Sequence, residues 1–322
     1  MNDNLAGVSV AGITNAYEAA HSTAVVVDRS DLGMLKFSDK SRLDLINRMS
    51  TQKIMNLGPG EGAATVLTTD IGRIIDRLIL YVGRASVYCL TGEGNGANIA
   101  DYLRRFVFYM DDFTAEDLSA STAVLAVYGS QAGPILCNIF GEVDLPLHHW
   151  KQVDLDGAPV YLHRTDPVAS AGYLVTCHEE DRDTLEQALI AAPITPAGEA
   201  AFDYLRIESR QPRFGRELTS DYIPLEADLW ADVSFNKGCY TGQEIIARLE
   251  SRGRLAKRLV HLTADEPVMA GDTLTASAKA AGTITSAAAG PGGVQALAYV
   301  KTAVLEQGQP LMAGQTAVRV SP

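Results

Sequence analysis

The hydrophobic pattern predicts alternating helices and strands over most of the chain, followed by strands alone. Ala24 to Val27 is an apolar run of strand length, and Ser38 stands as an N-cap before a helix carrying Leu43, Ile46 and Met49. Arg73 to Val82 and Ala85 to Leu90 are β-rich runs split by Gly83-Arg84, the pattern of a two-residue hairpin. After Gly96, the spacing of Ile99, Leu103 and Phe106 predicts a short helix. Val124 to Tyr128, Val160 to His163 and Gly172 to Cys177 read as further strands. Thr195-Pro196 has the form of an N-cap and first-turn proline, opening a helix toward Arg206. From about Arg258 the segments are short strands broken by Gly and Pro: Arg258 to Thr263, Asp272 to Ser277, Gly282 to Ser286, Val294 to Val300 and Gln315 to Val320. Ala287 to Gly293 reads as a hairpin loop between two of them. The expectation is an α+β chain with mixed and antiparallel sheets, two α+β parts over residues 1–255, and a small β-barrel over residues 256–322.

Composition narrows the class. The 322 residues are 47% hydrophobic and 20% charged, enough for a sizeable core and unlike a disordered chain. The net charge of -12 argues against a surface that coats nucleic acid or anionic membrane, so neither partner is expected. The apolar runs are too short for a membrane helix, and MNDNLAGVSV lacks the layout of a signal peptide; a cytoplasmic monomer is expected. Cys89, Cys137, Cys177 and Cys239 are spaced as neither a metal clip nor a disulfide framework, and no metal site is predicted. Cys89, Cys137 and Cys177 sit among apolar neighbours and read as core.

The fourth cysteine differs. In FNKGCYTGQEIIARLESRGRLAKR, residues 235 to 258, Thr241 and Glu244 have capping-box spacing ahead of a helix that buries Ile245, Ile246 and Leu249. Cys239 then lies just before a helix N-terminus, where the helix dipole and the Lys237 ammonium both favour a thiolate. The alternative is a cysteine packed under the helix start. From Lys237 to Arg258 there are six bases and two acids, a net of +4 that leaves -16 for the rest. This basic stripe, with Arg248, Arg252 and Arg254, suits an anionic ligand tail, a phosphate or an RNA backbone, or else is a solvated helix face with Glu244 and Arg248 paired.

Other motifs are weaker. Gly92, Gly94 and Ala97 satisfy a dinucleotide fingerprint with Asp111 following, but the preceding strand belongs to a hairpin, which favours a plain turn into a helix. No HExxH, GxSxG or phosphate-loop pattern is present in the sequence.

Lys237-Gly238-Cys239-Tyr240-Thr241-Gly242-Gln243-Glu244 resembles the KGCYxGQE signature of the YgfZ-type folate-binding proteins, the iron–sulfur cluster assembly and repair branch of the glycine-cleavage T-protein (aminomethyltransferase) superfamily. GRIIDRLILY at Gly72 to Tyr81, LRIESRQP at Leu205 to Pro212 and the AGTITS stretch of the last part extend the resemblance over most of the chain. It implies a multi-part ring around a folate-sized cavity, tetrahydrofolate or a one-carbon derivative as cofactor, and transient iron–sulfur client proteins as partners. It implies Cys239 as functional thiol with Lys237 beside it. Glu208, Arg206, Asp76, Tyr240 and Gln243 would lie at the folate site, Glu208 accepting from the pterin edge, with Arg248, Arg252 and Arg254 meeting the glutamate tail. Aminomethyltransferases carry GGI(L/I)DDLIV, whose second Asp assists transfer. Asp76 matches the first Asp and Arg77 stands at the second, which argues against aminomethyl transfer because a guanidinium cannot move a proton there. A folate-dependent one-carbon transferase remains the alternative, and a plain interaction scaffold the third reading.

Overall fold

The computed structural model describes residues 10–321, the side chains of Val10, Ala11 and Arg252 excepted. The amino-terminal stretch read for a signal peptide lies almost wholly outside the described residues. Helix α1 (Val10–Ser22) leads into β1 (Val25–Asp28) and β2 (Leu32–Ser38), then α2 (Arg42–Met49). Strands β3 (Gly62–Thr68), β4 (Ile74–Val82) and β5 (Ser86–Glu93), helix α3 (Gly96–Arg104) and β6 (Thr114–Asp117) form the first unit with β2 and α2, while α1 and β1 belong to the second. The second contains β7 (Thr122–Tyr128), α4 (Ala132–Phe140), β8 (Trp150–Leu155), β9 (Ala158–Val168), β10 (Ala171–His178), α5 (Arg182–Ile190), β11 (Thr195–Pro196) and α6 (Glu199–Glu208).

One sheet has the order β3-β4-β5-β2-β6, the other β11-β1-β7-β10-β9-β8. Strand alternation puts Leu35 and Phe37 against α2 and α3 on one side and Met34 toward the other sheet. In the second sheet Val160, Leu162 and Val175 pack against α4 and α5, while Leu174 and Val168 face the first sheet. The sheets therefore share an inner core, flanked by helices outside. Helix α7 (Gln243–Arg252) precedes a closed barrel, β12-β15-β14-β13-β16-β17, formed by β12 (Lys257–Ala264), β13 (Thr273–Ala276), β14 (Lys279–Gly290), β15 (Gly293–Lys301), β16 (Leu311–Ala313) and β17 (Thr316–Val320), with α8 (Thr302–Glu306) between β15 and β16.

Several expectations shift. Ser38 ends β2, and α2 starts after Ser41. The hairpin closes through Gly83 N–H to Ser86 O, which moves its tip to Arg84-Ala85. Thr195-Pro196 pairs in parallel with Val25-Val26 instead of starting α6, whose N-cap is Gly198. A proline without an N–H is tolerated there because this strand lies at a sheet edge. The loop foreseen at Ala287 to Gly293 is mostly strand, continuing to Gly290, and β16 was not foreseen. Cys89 and Cys177 are buried, but Cys137 is exposed: α4 buries Ala132, Ile135 and Leu136 and turns position 137 outward.

Candidate functional site

The two inner sheet faces part around a cavity of about 130 Å³, closed by α6 and the segment after it. Its wall includes Asp76 and Arg77 of β4, Tyr128 of β7, Asp166 of β9, and Phe202 and Arg206 of α6. Asp76 is buried, and its Oδ2 accepts from Gly92 N–H at 3.0 Å and Asn95 Nδ2 at 2.8 Å. Its Oδ1 has no hydrogen-bond partner among the described residues. Burial pushes the carboxyl up to about 6 against the pull of those two donors. Arg77 is held on both sides, Nε to Asp232 at 2.6 Å and Nη1 to Asp166 at 2.7 Å. Burial works against its charge, and the two carboxylates overcome it, so the guanidinium stays protonated.

Phe214 lines this cavity and packs on Gly92. A Cβ added at Gly92 would lie 2.3 Å from the Phe214 ring, so Gly92 serves ring packing and gives the fingerprint-like glycines a structural reason. Arg213 anchors the Phe214 segment, bonding Glu93 at 2.7 Å and also Glu199. Arg29 reaches the same Glu93 oxygen at 2.6 Å. Sequence reading missed Asp166, Asp232, Arg213 and Phe214. Arg213 and Phe214 were signalled only by the charged and aromatic residues of QPRFGREL beside a helix end, and Asp166 and Asp232 stand in no string that marks them.

Arg206 is buried in a joint instead of reaching into the cavity as a ligand. It donates to Asp203 at 2.7 Å, Glu217 at 2.7 Å and Ser286 Oγ at 2.6 Å, tying α6 to barrel strand β14. Glu208 lies outside the central cavity. Its carboxylate meets His21 Nε2 at 3.1 Å in a shallow depression with Pro167, Ala169, Ser170 and Ser209. It stands two positions after Arg206, a step of about 200° that places the two side chains on opposite sides of α6.

The KGCYTGQE segment folds differently from its capping-box reading. Gly242, at φ +84°, is the N-cap of α7, and Thr241 makes no side-chain cap bond. A Cβ at Gly242 would lie 2.6 Å from Thr69 O, so this close approach also requires glycine. Ile246 is buried, with Ile245 and Leu249 half-buried. Lys237 Nζ donates to Asn47 O at 2.6 Å, Ser50 O at 2.7 Å and Gln52 O at 2.8 Å, committing its three N–H donors to the turn after α2. Burial pushes this ammonium down to about 8, while those carbonyls hold it charged at neutral pH. Tyr240 is a core anchor with Leu225, Val233 and Ile246, and Gln243 N–H donates to Tyr240 O at 3.2 Å. Between these anchors Cys239 is exposed.

The described residues of the basic stripe fall in different settings. Arg248 pairs with Glu244 at 2.6 Å, Arg254 is exposed, and Lys257 and Arg258 belong to the barrel. None of them lines the central cavity. The side chain of Arg252 lies outside the described residues.

Two facing sheets around a polar cavity, with a closed barrel joined through a buried arginine, define an aminomethyltransferase-like α+β fold. The chain belongs to the GCVT family: residues 8–237 match the GCVT N-terminal domain, and residues 257–322 match the C-terminal β-barrel domain of CAF17. The glycine cleavage system aminomethyltransferase T of Bartonella henselae has the same fold, with a TM-score of 0.85 at 20% identity over 96% of this chain and 88% of that one. A chloroplastic Arabidopsis thaliana protein with a provisional transferase name is 27% identical over 93% of this chain and 70% of its own length. An aminomethyltransferase of Thermosynechococcus vestitus is 29% identical over 89% and 80%. Among the described residues no helix is long and apolar enough to cross a membrane.

Proposed function

We propose that this chain binds tetrahydrofolate, or a one-carbon derivative, in the central cavity and supports assembly or repair of iron–sulfur clusters in transient client proteins, as YgfZ-type proteins do. Cys239 is the thiol that meets the client. The observation that carries this reading over aminomethyl transfer is Arg77, locked between Asp166 and Asp232 where the transferase pattern has a carboxylate. A guanidinium so held neither accepts nor relays a proton.

The cavity chemistry suits the flat head of a folate. Asp76 offers an unanswered acceptor to an amino or ring N–H edge, and Tyr128, Phe202 and Phe214 offer aromatic surface. At about 130 Å³ it falls below the roughly 300–1,000 Å³ usual for small-molecule sites, so the ring enters by displacing Phe214 and the tail stays outside. A single thiol supplies one of about four ligands that a cluster takes, so Cys239 shares any cluster with its client.

The test is complementation of a strain lacking the protein, reading the activity of cluster-containing enzymes. Cys239→Ala should fold normally and fail to restore it; restoration equal to wild type overturns the reading. The transferase alternative is favoured by Asp76 and by the names of several relatives. It requires methylene-tetrahydrofolate formation from an aminomethyl-lipoyl carrier, and no turnover is expected.

A further inference from the structure

A second cavity, of about 260 Å³, opens between the same two sheets and shares no lining residue with the central one. Strand register builds its walls. Glu116, Lys36 and Tyr88 form one cross-strand row over β6, β2 and β5. Facing it, Thr176 pairs with Tyr161 across β10 and β9, and His163 pairs with Trp150 across β9 and β8.

The aromatic wall is fixed in place. Trp150 Nε1–H donates to Val82 O at 2.9 Å, and its ring stacks on His163 at 5.9 Å and 14°. His163 Nε2 is held by Thr176 Oγ1 at 3.1 Å. Tyr88 and Tyr161 lie 5.8 Å and 5.9 Å from the Trp150 ring, and all three rings are half-buried. This is a preorganised platform that already has open ring surface.

The lining carries one unanswered polar atom and one ion pair at the mouth. His163 is 2% exposed, and its Nδ1 has no hydrogen-bond partner among the described residues. Burial pushes the imidazole down to about 3, so it is neutral at physiological pH. Lys36 and Glu116 sit 3.3 Å apart with side chains 35% and 56% exposed, placing a donor beside an acceptor. That pairing matches a ring edge carrying an acceptor next to an amino group, as adenine does at N7 and N6.

We propose that this cavity binds an adenine-type base, stacked on Trp150 and Tyr161 and read along one edge by Lys36 and Glu116. The volume admits the base and leaves the sugar and any phosphates outside. Free adenosine and the adenine of ATP or NAD share this chemistry. None of these residues enters the folate reading, so either stands without the other.

The test is calorimetric titration of the full chain with adenosine, ATP, NAD and 7-deazaadenosine, in which a C–H replaces the N7 acceptor. One saturable adenine site per chain is expected, with 7-deazaadenosine about ten-fold weaker. The tightest of the other three identifies the source. Lys36→Met and Tyr161→Leu should each weaken binding about ten-fold while tetrahydrofolate binding stays unchanged, and Lys36→Met should leave the melting temperature unchanged. Lys36→Met, at the half-exposed mouth, keeps the test valid if Tyr161→Leu misfolds. Absence of adenosine binding at millimolar concentration overturns the proposal. So does equal affinity for 7-deazaadenosine, unchanged affinity in Lys36→Met, or competition by tetrahydrofolate.

Discussion

Arg206 and Asp76 both lie in the wall of the central cavity, and their surroundings are built in opposite ways. Arg206 meets two carboxylates and a hydroxyl, and Glu217 beside it is answered at both oxygens, by Ser286 at one and by Arg206 and the Arg213 N–H at the other. Asp76 receives two donors on one oxygen and, among the described residues, none on the other. Buried polar groups are normally satisfied, so a saturated network marks a structural joint and a half-satisfied one marks a place for something else to bind. By this contrast Arg206 belongs to the framework, while Asp76 keeps an unanswered oxygen in the cavity wall.

The contrast can be broken by substitution, and the largest effect belongs to the joint. Arg206→Met leaves the fully buried Glu217 without its cation, and a loss of about 3–5 kcal/mol is expected in denaturant unfolding. A loss below about 1 kcal/mol would mean the joint is not the framework described.

Asp76→Asn should act in the other direction. The folded carboxyl titrates near 6 and the unfolded one near 3.8, so the folded state holds its proton more tightly. The associated stability is complete below about pH 4 and is lost as pH rises through 6. Asparagine carries no such penalty, so the variant should gain up to about 3 kcal/mol over wild type at pH 8 and nothing attributable to this titration at pH 4. Melting curves at the two pH values check the sign.

Lys237→Met should cost about 2 kcal/mol by stranding three carbonyls, seen as faster amide exchange around residues 50–52. A change in Cys239 alkylation with no loss of exchange protection would instead favour a direct role for Lys237 on the thiol. Thr241→Val should cost under about 0.5 kcal/mol, because its hydroxyl does not cap α7. A cost near 1 kcal/mol would restore the capping box.

The strands were legible because the central ones are strand-length apolar runs, buried on both faces in β7, β10 and β15, and because the turns carry Gly and Pro. The segment around Thr195-Pro196 misled because proline at N1 and proline on an edge strand look alike locally, and only the tertiary pairing to Val25-Val26 separates them. The local strings drew attention to Asp76, which lines the cavity, and to Cys239, which is exposed. Asp166, Asp232 and Phe214 were not legible, because each reaches the cavity wall or its Arg77 from a different segment far along the chain. Glu208 was misplaced for a related reason: its neighbours in sequence face inward, but its own position on α6 faces His21.

The most direct test of the account is anaerobic calorimetric titration of tetrahydrofolate, mono- and polyglutamylated, into wild type, Asp76→Asn and Glu208→Ala. The account predicts one saturable site per chain, weakened about ten-fold by Asp76→Asn and unchanged by Glu208→Ala. Loss of binding in Glu208→Ala with full binding in Asp76→Asn, or no binding by folded wild type, would contradict it.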